Sequence, residues 1–224
     1  MVRVQKLNKY LPCENGFQHV LKNIDLQISI GDFAVIHGEH SSGKSLLLDI
    51  LGGLIRYDSG NYYLLDSPVG QTGTPDSGSD SLFCQRNIGL VLPQRELNNS
   101  ASVFHNLMIG NVIAMSYPEA RRRSIRILRK IGCHHLIHKS MRLLSDEERQ
   151  KISIARSLIG KPRLLLADDP TAGLNQAAAS SVLALLHEIN QQGMTVLITT
   201  SDQRIMAHGR SRYALTDGHL GLIH

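Results

Sequence analysis

The chain has 224 residues, which is enough for one α/β domain with a substantial core. Its 42% hydrophobic and 19% charged residues are ordinary for a globular protein, and no apolar run approaches the ~20 residues that span a bilayer. The net charge of +5 is compatible with a nucleic-acid partner, with an anionic lipid surface, or with ordinary solvation.

The N-terminal residues and the cysteines indicate the cellular compartment of the protein. The first segment, MVRVQKL, has no apolar signal core behind a basic head, so we expect a cytosolic protein. Cys13, Cys84 and Cys133 lie far apart and are odd in number, which favours free thiols over a disulfide framework. Cys133 or His134 can share a helix face with His138. A metal site is one interpretation of this cluster, but no carboxylate or second cysteine joins it. A polar helix end is the alternative.

Strands dominate the predictions for the first third of the chain. The predicted strands are Val2 to Leu7, residues 20–30, residues 32–37 and Tyr62 to Leu65. A helix is predicted over residues 46–51, directly downstream of the third strand. Residues 66–82 are rich in Asp, Ser, Gly, Pro and Thr, and this composition predicts a surface loop.

Buried strands alternate with helices in the rest of the chain. The predicted strands are residues 88–92, 163–167 and 195–200. The predicted helices lie within residues 100–140, with one start at Pro118, then from near Ser145, and over residues 176–191. Asp217-Gly218 predicts a hairpin turn near the C-terminus. The alternation predicts a mostly parallel, buried sheet with a helical insert.

Residues 38–45, GEHSSGKS, fit the P-loop pattern of Gly, four free positions, Gly, Lys and Ser. The predicted strand before them and the predicted helix after them supply the context that this motif requires. Backbone N–H groups of such a loop surround phosphate oxygens, and the helix N-terminus adds its positive dipole end. Lys44 is predicted to reach the β- and γ-phosphates of ATP, and the Ser45 hydroxyl to hold Mg²⁺.

A second acidic site follows the apolar run Leu164–Ala167. Asp168 is predicted to hold Mg²⁺, directly or through water, and Asp169 to polarise an attacking water. Two solvated loop aspartates are the alternative interpretation.

These motifs, in this order, resemble the nucleotide-binding subunit of an ABC transporter over nearly the whole chain. LSDEERQKISIARSL, from Leu144, resembles the signature loop and helix of that family, and LLLADDPTAGLN, from Leu164, resembles its Walker B strand and D-loop. TVLITTSD, from Thr195, resembles the strand that leads to its switch histidine. The segments LTDGHL and LLADDPTAGL are most similar to the FtsE, LolD and MacB branch.

The resemblance implies a fold and a set of partners. The implied fold is a single ABC ATPase domain over residues 1–224, with a mostly parallel core sheet, an antiparallel β subdomain and a helical subdomain at about residues 95–160. Two such domains are expected to pair head to tail, as a homodimer or a heterodimer, with each ATP between a P-loop and the signature loop of the partner. The implied partners are integral membrane permease subunits, with peripheral contact at the inner face of the membrane and no nucleic acid.

The resemblance also assigns individual residues. Tyr10 matches the aromatic residue that stacks on adenine, Gln94 the Q-loop glutamine that contacts Mg²⁺, and Ser145 the signature serine. The implied nucleotide-binding set is Tyr10, Gly38, Ser41, Ser42, Gly43, Lys44, Ser45, Leu46, Gln94 and Ser145, with Ser45, Gln94 and Asp168 at the metal and Asp169 and Ser201 in catalysis.

Several of these positions depart from the family pattern. Asp146 and Glu147 replace the two glycines of the signature, and they add negative charge where the γ-phosphate of the partner's ATP would lie. The same residues favour the helix N-terminus, where Ser145 and Glu148 form a capping-box pattern. The other departures are Asp169 for the catalytic glutamate, Ser201 for the switch histidine, Asn175 for the D-loop aspartate and Leu46 for a hydroxyl residue.

The departures lead to one hypothesis and two alternatives. We expect Mg–ATP binding to be kept and hydrolysis to be slow, since a misplacement of about 1 Å can cost ~100-fold in rate. One alternative is a nucleotide-binding regulator with negligible ATPase activity. The other is a soluble ABC ATPase that acts on nucleic acid.

Overall fold

The computed structural model describes residues 1–14, 16–70, 79–92, 97–109 and 115–223. Within these residues, a six-stranded sheet forms the centre of the molecule. Its strands are β3 (Phe33–His37), β6 (Ile88–Val91), β7 (Leu164–Asp168), β8 (Thr195–Thr200), β9 (Ser211–Thr216) and β10 (His219–Ile223). They lie in the order β10-β9-β3-β8-β7-β6, and every neighbouring pair is parallel except the β9–β10 hairpin.

A second sheet is antiparallel and has the order β2-β1-β4-β5. Its strands are β1 (Val2–Cys13), β2 (Gly16–Ile28), β4 (Ser59–Leu64) and β5 (Ser67–Pro68). Val2, Val4 and Leu7 point inward from β1 and join a core that also contains Ile36 and Leu166 of the central sheet. The antiparallel sheet therefore covers one face of the central sheet.

Helices cover the rest of the central sheet and form a further layer. The described helices are α1 (Lys44–Leu51), α2 (Ser79–Asn87), α3 (Val103–Met108), α4 (Tyr117–Lys130), α5 (Asp146–Leu158), α6 (Gln176–Gln191) and α7 (Gln203–Met206). Val182 and Leu186 of α6 pack against the central sheet. Leu107, Leu128 and Ile152 join α3, α4 and α5 in a core of their own. None of the helices in the described ranges is long and apolar enough to cross a bilayer.

The predicted fold class is confirmed: the chain is α/β, with a mostly parallel central sheet, an antiparallel sheet and helices. The loop predicted over residues 66–82 is wrong at both ends, because β5 occupies residues 67–68 and α2 begins at residue 79. Residues 71–78 of that prediction lie outside the described residues. The composition did not indicate α2, because its apolar residues do not recur at helical spacing and Leu82 is exposed. Its attachment is tertiary: Cys84 is buried, and Asp80 accepts a hydrogen bond from the Gly70 N–H at 2.8 Å.

Candidate nucleotide-binding site

The P-loop joins β3 to α1 at the carboxyl edge of the central sheet. Gly43 caps α1 with a φ of 99°, and Ser41 also has a positive φ, of 64°. A Cβ on Gly38 would lie 2.6 Å from the carbonyl oxygen of Leu215, so only glycine fits there. A loop of this course presents successive backbone N–H groups, which is the arrangement that binds phosphate oxygens.

Lys44 is nearly buried at the start of α1, with 8% of its surface exposed. Its Nζ donates hydrogen bonds to the carbonyl oxygens of Gly38 at 2.7 Å and Glu39 at 2.6 Å. Burial lowers the pKa of Lys44, and the charges of Asp169 and Asp168 oppose that decrease. Because a buried ammonium needs hydrogen-bond acceptors, phosphate oxygens would take over from these carbonyls when a nucleotide binds.

The two predicted carboxylates lie at the carboxyl end of β7, beside the end of β8. Thr199 Oγ1 donates to Asp168 Oδ1 at 2.6 Å. Asp169 accepts from Thr200 Oγ1 at 3.2 Å and from Ser201 Oγ at 3.0 Å, with a φ of 40° at Asp169 itself. Three consecutive hydroxyl groups therefore orient both carboxylates. Sequence reasoning missed the two threonines, because their β-branched side chains indicated only a strand.

Two of the three predicted Mg²⁺ ligands lie within the described residues. Ser45 is exposed in the first turn of α1, and Asp168 is half-buried at the end of β7. Their oxygen donors fit Mg²⁺, which is usually held by one or two protein ligands together with waters and substrate phosphates. Gln94, the third predicted ligand, lies outside the described residues. Leu46 is half-buried against the core beneath the antiparallel sheet, and its side chain offers no polar atom.

An aromatic pair lies on the antiparallel sheet near the P-loop. The rings of Tyr10 and His19 stack with centroids 4.2 Å apart, and His19 Nε2 is 2.9 Å from Asn8 Oδ1. A cavity of about 430 Å³ borders the P-loop and is lined by His19 and Val20 but not by Tyr10. Tyr10 therefore stacks on a ring that lines the cavity without lining it itself, and its contact with adenine stays a prediction. Sequence reasoning missed His19, although its place on the paired strand β2 follows from the β1–β2 register.

The signature-like residues form a compact helix start at α5. Ser145 Oγ accepts from the Glu148 N–H at 3.2 Å, while Glu148 Oε2 accepts from the Ser145 N–H at 2.8 Å. Glu147 pairs with Lys151 at 2.7 Å. Hydrogen bonds from Lys151 and then Ser181 lower the pKa of Glu147, so this carboxylate is charged at neutral pH. The predicted capping box is confirmed, and the Ser145 hydroxyl is already engaged in it.

Asn175 has a structural role at the start of α6. Its Oδ1 accepts a hydrogen bond from the Ala178 N–H at 2.9 Å. The D-loop before it lines a second cavity, of about 460 Å³, together with Asp169, Ser201 and His40 of the P-loop. This second cavity therefore meets the P-loop on the side where the two predicted catalytic residues lie.

The Cys/His cluster has the geometry of a helix end. Cys133 is buried, and its thiol donates to the carbonyl oxygen of Ile131 at 3.6 Å. Burial raises the pKa of Cys133, which disfavours the thiolate that a metal would require. A short 3₁₀ turn, His134–Leu136, follows. Across the described ranges, no group of three or more His, Cys, Asp or Glu side chains is placed to hold a metal ion.

Fold and site together define a P-loop nucleotide-binding domain. The family model described as ABC transporter matches residues 21–172, which run from β2 through the P-loop to the two carboxylates. The chain therefore belongs to the ABC transporter family.

The curated relatives that the chain matches are longer proteins. The chain is 30% identical over 218 residues to the macrolide export ATP-binding/permease protein MacB of Bartonella henselae, a match that covers 97% of this chain and 33% of that protein. It is 34% identical over 203 residues to MacB of Escherichia coli, covering 90% of this chain and 31% of that protein. The chain thus spans about a third of the length of these relatives, and the predicted similarity to the MacB branch is confirmed.

Solved structures agree with this assignment. A dimeric, post-hydrolysis state of the ATP-binding cassette MJ0796 with ADP and phosphate has a TM-score of 0.87 at 27% identity, and the match covers 100% of this chain and 99% of that one. The cassette CbiO1 of Clostridium perfringens, part of an ABC transporter complex, has a TM-score of 0.84 at 27% identity, with 99% and 86% covered.

Proposed function

We propose that this domain binds Mg–ATP, hydrolyses it slowly, and drives or gates a membrane permease at the cytoplasmic face of a cell membrane. The observation that carries the proposal is the position of Lys44, which is buried in the P-loop and lies within the electrostatic field of Asp168 and Asp169. The chain keeps the groups that hold a nucleotide and alters those that act on its γ-phosphate.

ATP binding is supported by the P-loop and its neighbours. Lys44 would contact the β- and γ-phosphates, and Ser45 with Asp168 would hold Mg²⁺, which neutralises the phosphate charge. His19, backed by Tyr10, offers a flat ring beside the cavity at the P-loop, where an adenine base can stack. Gln94 remains a proposed Mg²⁺ contact.

Slow hydrolysis is supported by the surroundings of Asp169. A general base must accept a proton from the attacking water, and the hydroxyls of Thr200 and Ser201 already occupy a lone pair on each Asp169 oxygen. The carboxylate is also one methylene shorter than glutamate. Both features keep the Asp169 carboxylate farther from the nucleotide than a glutamate carboxylate would be.

Pairing of two cassettes is the second part of the proposal. Dimeric MJ0796 supports a dimer of this chain. We infer a head-to-tail arrangement, with the start of α5 facing the partner's ATP. The charge on Glu147 opposes a homodimer and favours a second cassette with an uncharged signature loop. The permease is either a separate integral membrane subunit or, as the names of the MacB relatives suggest, part of a longer polypeptide.

A nucleotide-gated regulator with negligible turnover is the second candidate function. The charged Glu147 beside Ser145 favours it, because a carboxylate in this loop repels a phosphate. The two candidates differ in whether turnover accompanies the conformational change.

Purification of the tagged chain from solubilised native membranes tests the proposal. We expect a multi-span membrane protein in the complex, with ATP binding that Lys44→Ala abolishes. Recovery of DNA or RNA in place of a membrane protein would support a soluble nucleic-acid ATPase and contradict the proposed transport function.

A further inference from the structure

A cavity of about 280 Å³ lies between α4, the end of α5 and α6. Among the described residues it shares no lining residue with either cavity that borders the P-loop. Its apolar lining includes Ile127 of α4, Leu158 of α5, and Leu185 and Ile189 of α6. Leu185 and Ile189 belong to the core between α6 and the central sheet, whereas Ile127 packs against the core of the helical layer. The cavity is therefore an apolar recess where two hydrophobic cores meet.

The charged side chains that line this recess have one sign. Among the described residues they are all cations: Arg123, Arg126, Lys130 and Lys161. A recess with apolar walls and charges of one sign concentrates the electric field and attracts ions of the opposite sign. The lining therefore suits a ligand that combines an apolar body with an anionic group.

Two of these cations are already bonded within the protein. Arg123 pairs with Glu119 and donates a hydrogen bond to the carbonyl oxygen of Ile159 at 3.0 Å. Lys130 donates a hydrogen bond to the side-chain oxygen of Gln192. These bonds hold both side chains at the wall of the cavity.

The other two cations have donors to spare. Arg126 of α4 and Lys161, in the turn between α5 and β7, are exposed. Neither side chain forms a hydrogen bond or an ion pair with any residue that the structure describes. The planar guanidinium of Arg126 matches the geometry of a carboxylate, and the ammonium of Lys161 supplies a second charge from a different element.

We propose that this cavity binds a free acyl carboxylate, with the chain in the apolar recess and the carboxylate between Arg126 and Lys161. The small volume admits one chain, which favours a free acyl anion over a two-chain lipid of a bilayer. The inference goes beyond the proposed function, because the site is separate from the nucleotide site. A ligand here contacts α4 and α6 together and so stabilises the helical layer against the central sheet.

The test is a titration of the chain, labelled with ¹³C at its methionine methyl groups, with sodium decanoate below its micelle concentration. Met194 lines the cavity, whereas Met141 is buried in the core of the helical layer and does not line it. Decanoate should shift the Met194 methyl signal and leave that of Met141 unchanged. Octanoate should bind on the order of tenfold more weakly, because it buries two fewer methylenes. Decyltrimethylammonium, with a chain of the same length and the opposite charge, should bind at least about tenfold more weakly than decanoate.

Replacement of both Arg126 and Lys161 by methionine removes the charges and keeps apolar stems over the recess. This double variant should bind decanoate about tenfold more weakly, or ~3-fold for each exposed ion pair, and should bind neutral decanol as wild type does. The other methyl signals report whether the variant is folded. Arg121→Met is the matched control, since it removes an exposed cation of α4 that does not line the cavity.

Equal affinity for decanoate and decyltrimethylammonium would overturn the inference, and so would unchanged decanoate affinity in the double variant. A third contradicting result is binding to phosphatidylglycerol vesicles that the double variant loses, with no effect of decanoate on Met194; it would assign the two cations to a membrane surface. Failure of the proposed function gives a different result, because a chain that does not bind ATP would still show the decanoate titration.

Discussion

The Ser201 hydroxyl donates a hydrogen bond to Asp169 Oδ2 over 3.0 Å, and this bond connects the two positions at which the catalytic pattern of the family is altered. With the bond from Thr200 at 3.2 Å, it holds the carboxylate against the end of β8. The two substitutions are therefore physically coupled: the shorter acid is held by the hydroxyl that stands in place of an imidazole.

Asp169→Glu should raise turnover about tenfold at saturating Mg–ATP. The additional methylene carries the carboxylate beyond the hydroxyls of Thr200 and Ser201 and toward the attacking water, and a shift of this size has large effects on rate. Steady-state phosphate release measures the effect. Asp168→Glu is the matched control, since the same lengthening at the predicted metal ligand should lower turnover. An Asp169→Glu variant no faster than wild type would contradict the account of this carboxylate.

Replacement of Asp146 and Glu147 by glycine should strengthen ATP-dependent association of two chains at least tenfold. The change removes charge that repels the partner's γ-phosphate, for which about 4 kcal/mol per pair is a ceiling at 4 Å. It also weakens α5 by ~1 kcal/mol for each glycine. Sedimentation velocity with and without ATP, in an Asp169→Asn background, measures association. Glu188→Gln removes an exposed carboxylate of α6 and should leave association unchanged. Equal dimerisation of wild type and the double variant would contradict repulsion between Asp146 and Glu147 and the partner's γ-phosphate.

Asn175→Ala should lower the free energy of unfolding by about 1 kcal/mol, because it removes the side chain that caps α6. Asn175→Asp keeps an acceptor at the same position and adds a charge that the helix dipole favours, so its stability should match wild type within ~0.5 kcal/mol. Urea denaturation of the three proteins measures both effects. Equal stability of Asn175→Ala and wild type would show that the cap is dispensable.

Stability should fall above about pH 9 partly because of Cys84. Burial, and secondarily the charge of Asp80, raises the pKa of this thiol from 9.0 to about 11. Between these values the unfolded chain loses the thiol proton and the folded protein keeps it, so the free energy of unfolding decreases as pH rises. Cys84→Ala should be less stable at every pH because of the cavity it creates, but its stability should decline less steeply over this interval.

Urea midpoints at about pH 8 and about pH 10.5 measure how steeply the stability of wild type and of Cys84→Ala falls with pH. Cys13→Ala removes an exposed thiol and serves as the control, with a slope equal to that of wild type. Parallel slopes for Cys84→Ala and wild type would show that the buried thiol does not govern alkaline stability.

The sequence predicted those parts of the molecule that depend on residues close together in the chain. The P-loop required glycine at positions 38 and 43, and the run before Asp168 had the continuous apolar character of a buried parallel strand. Helix α2 escaped prediction because its attachment depends on the burial of Cys84 and on the hydrogen bond from the Gly70 N–H to Asp80, neither of which appears as an apolar period in the sequence. The stacking of His19 on Tyr10 and the bonds of Thr199 and Thr200 to the carboxylates depend on strand pairing, which periodicity alone does not specify.

The central claim is that nucleotide binding is retained while hydrolysis is slow, and one experiment on the wild-type complex measures both. ATP affinity by equilibrium titration and phosphate release under saturating Mg–ATP are determined on the same sample. We predict tight binding that Lys44→Ala abolishes, with turnover at least ~100-fold below the ~10 s⁻¹ that is typical of enzymes. Turnover near ~10 s⁻¹ that Asp169→Ala abolishes would contradict the claim.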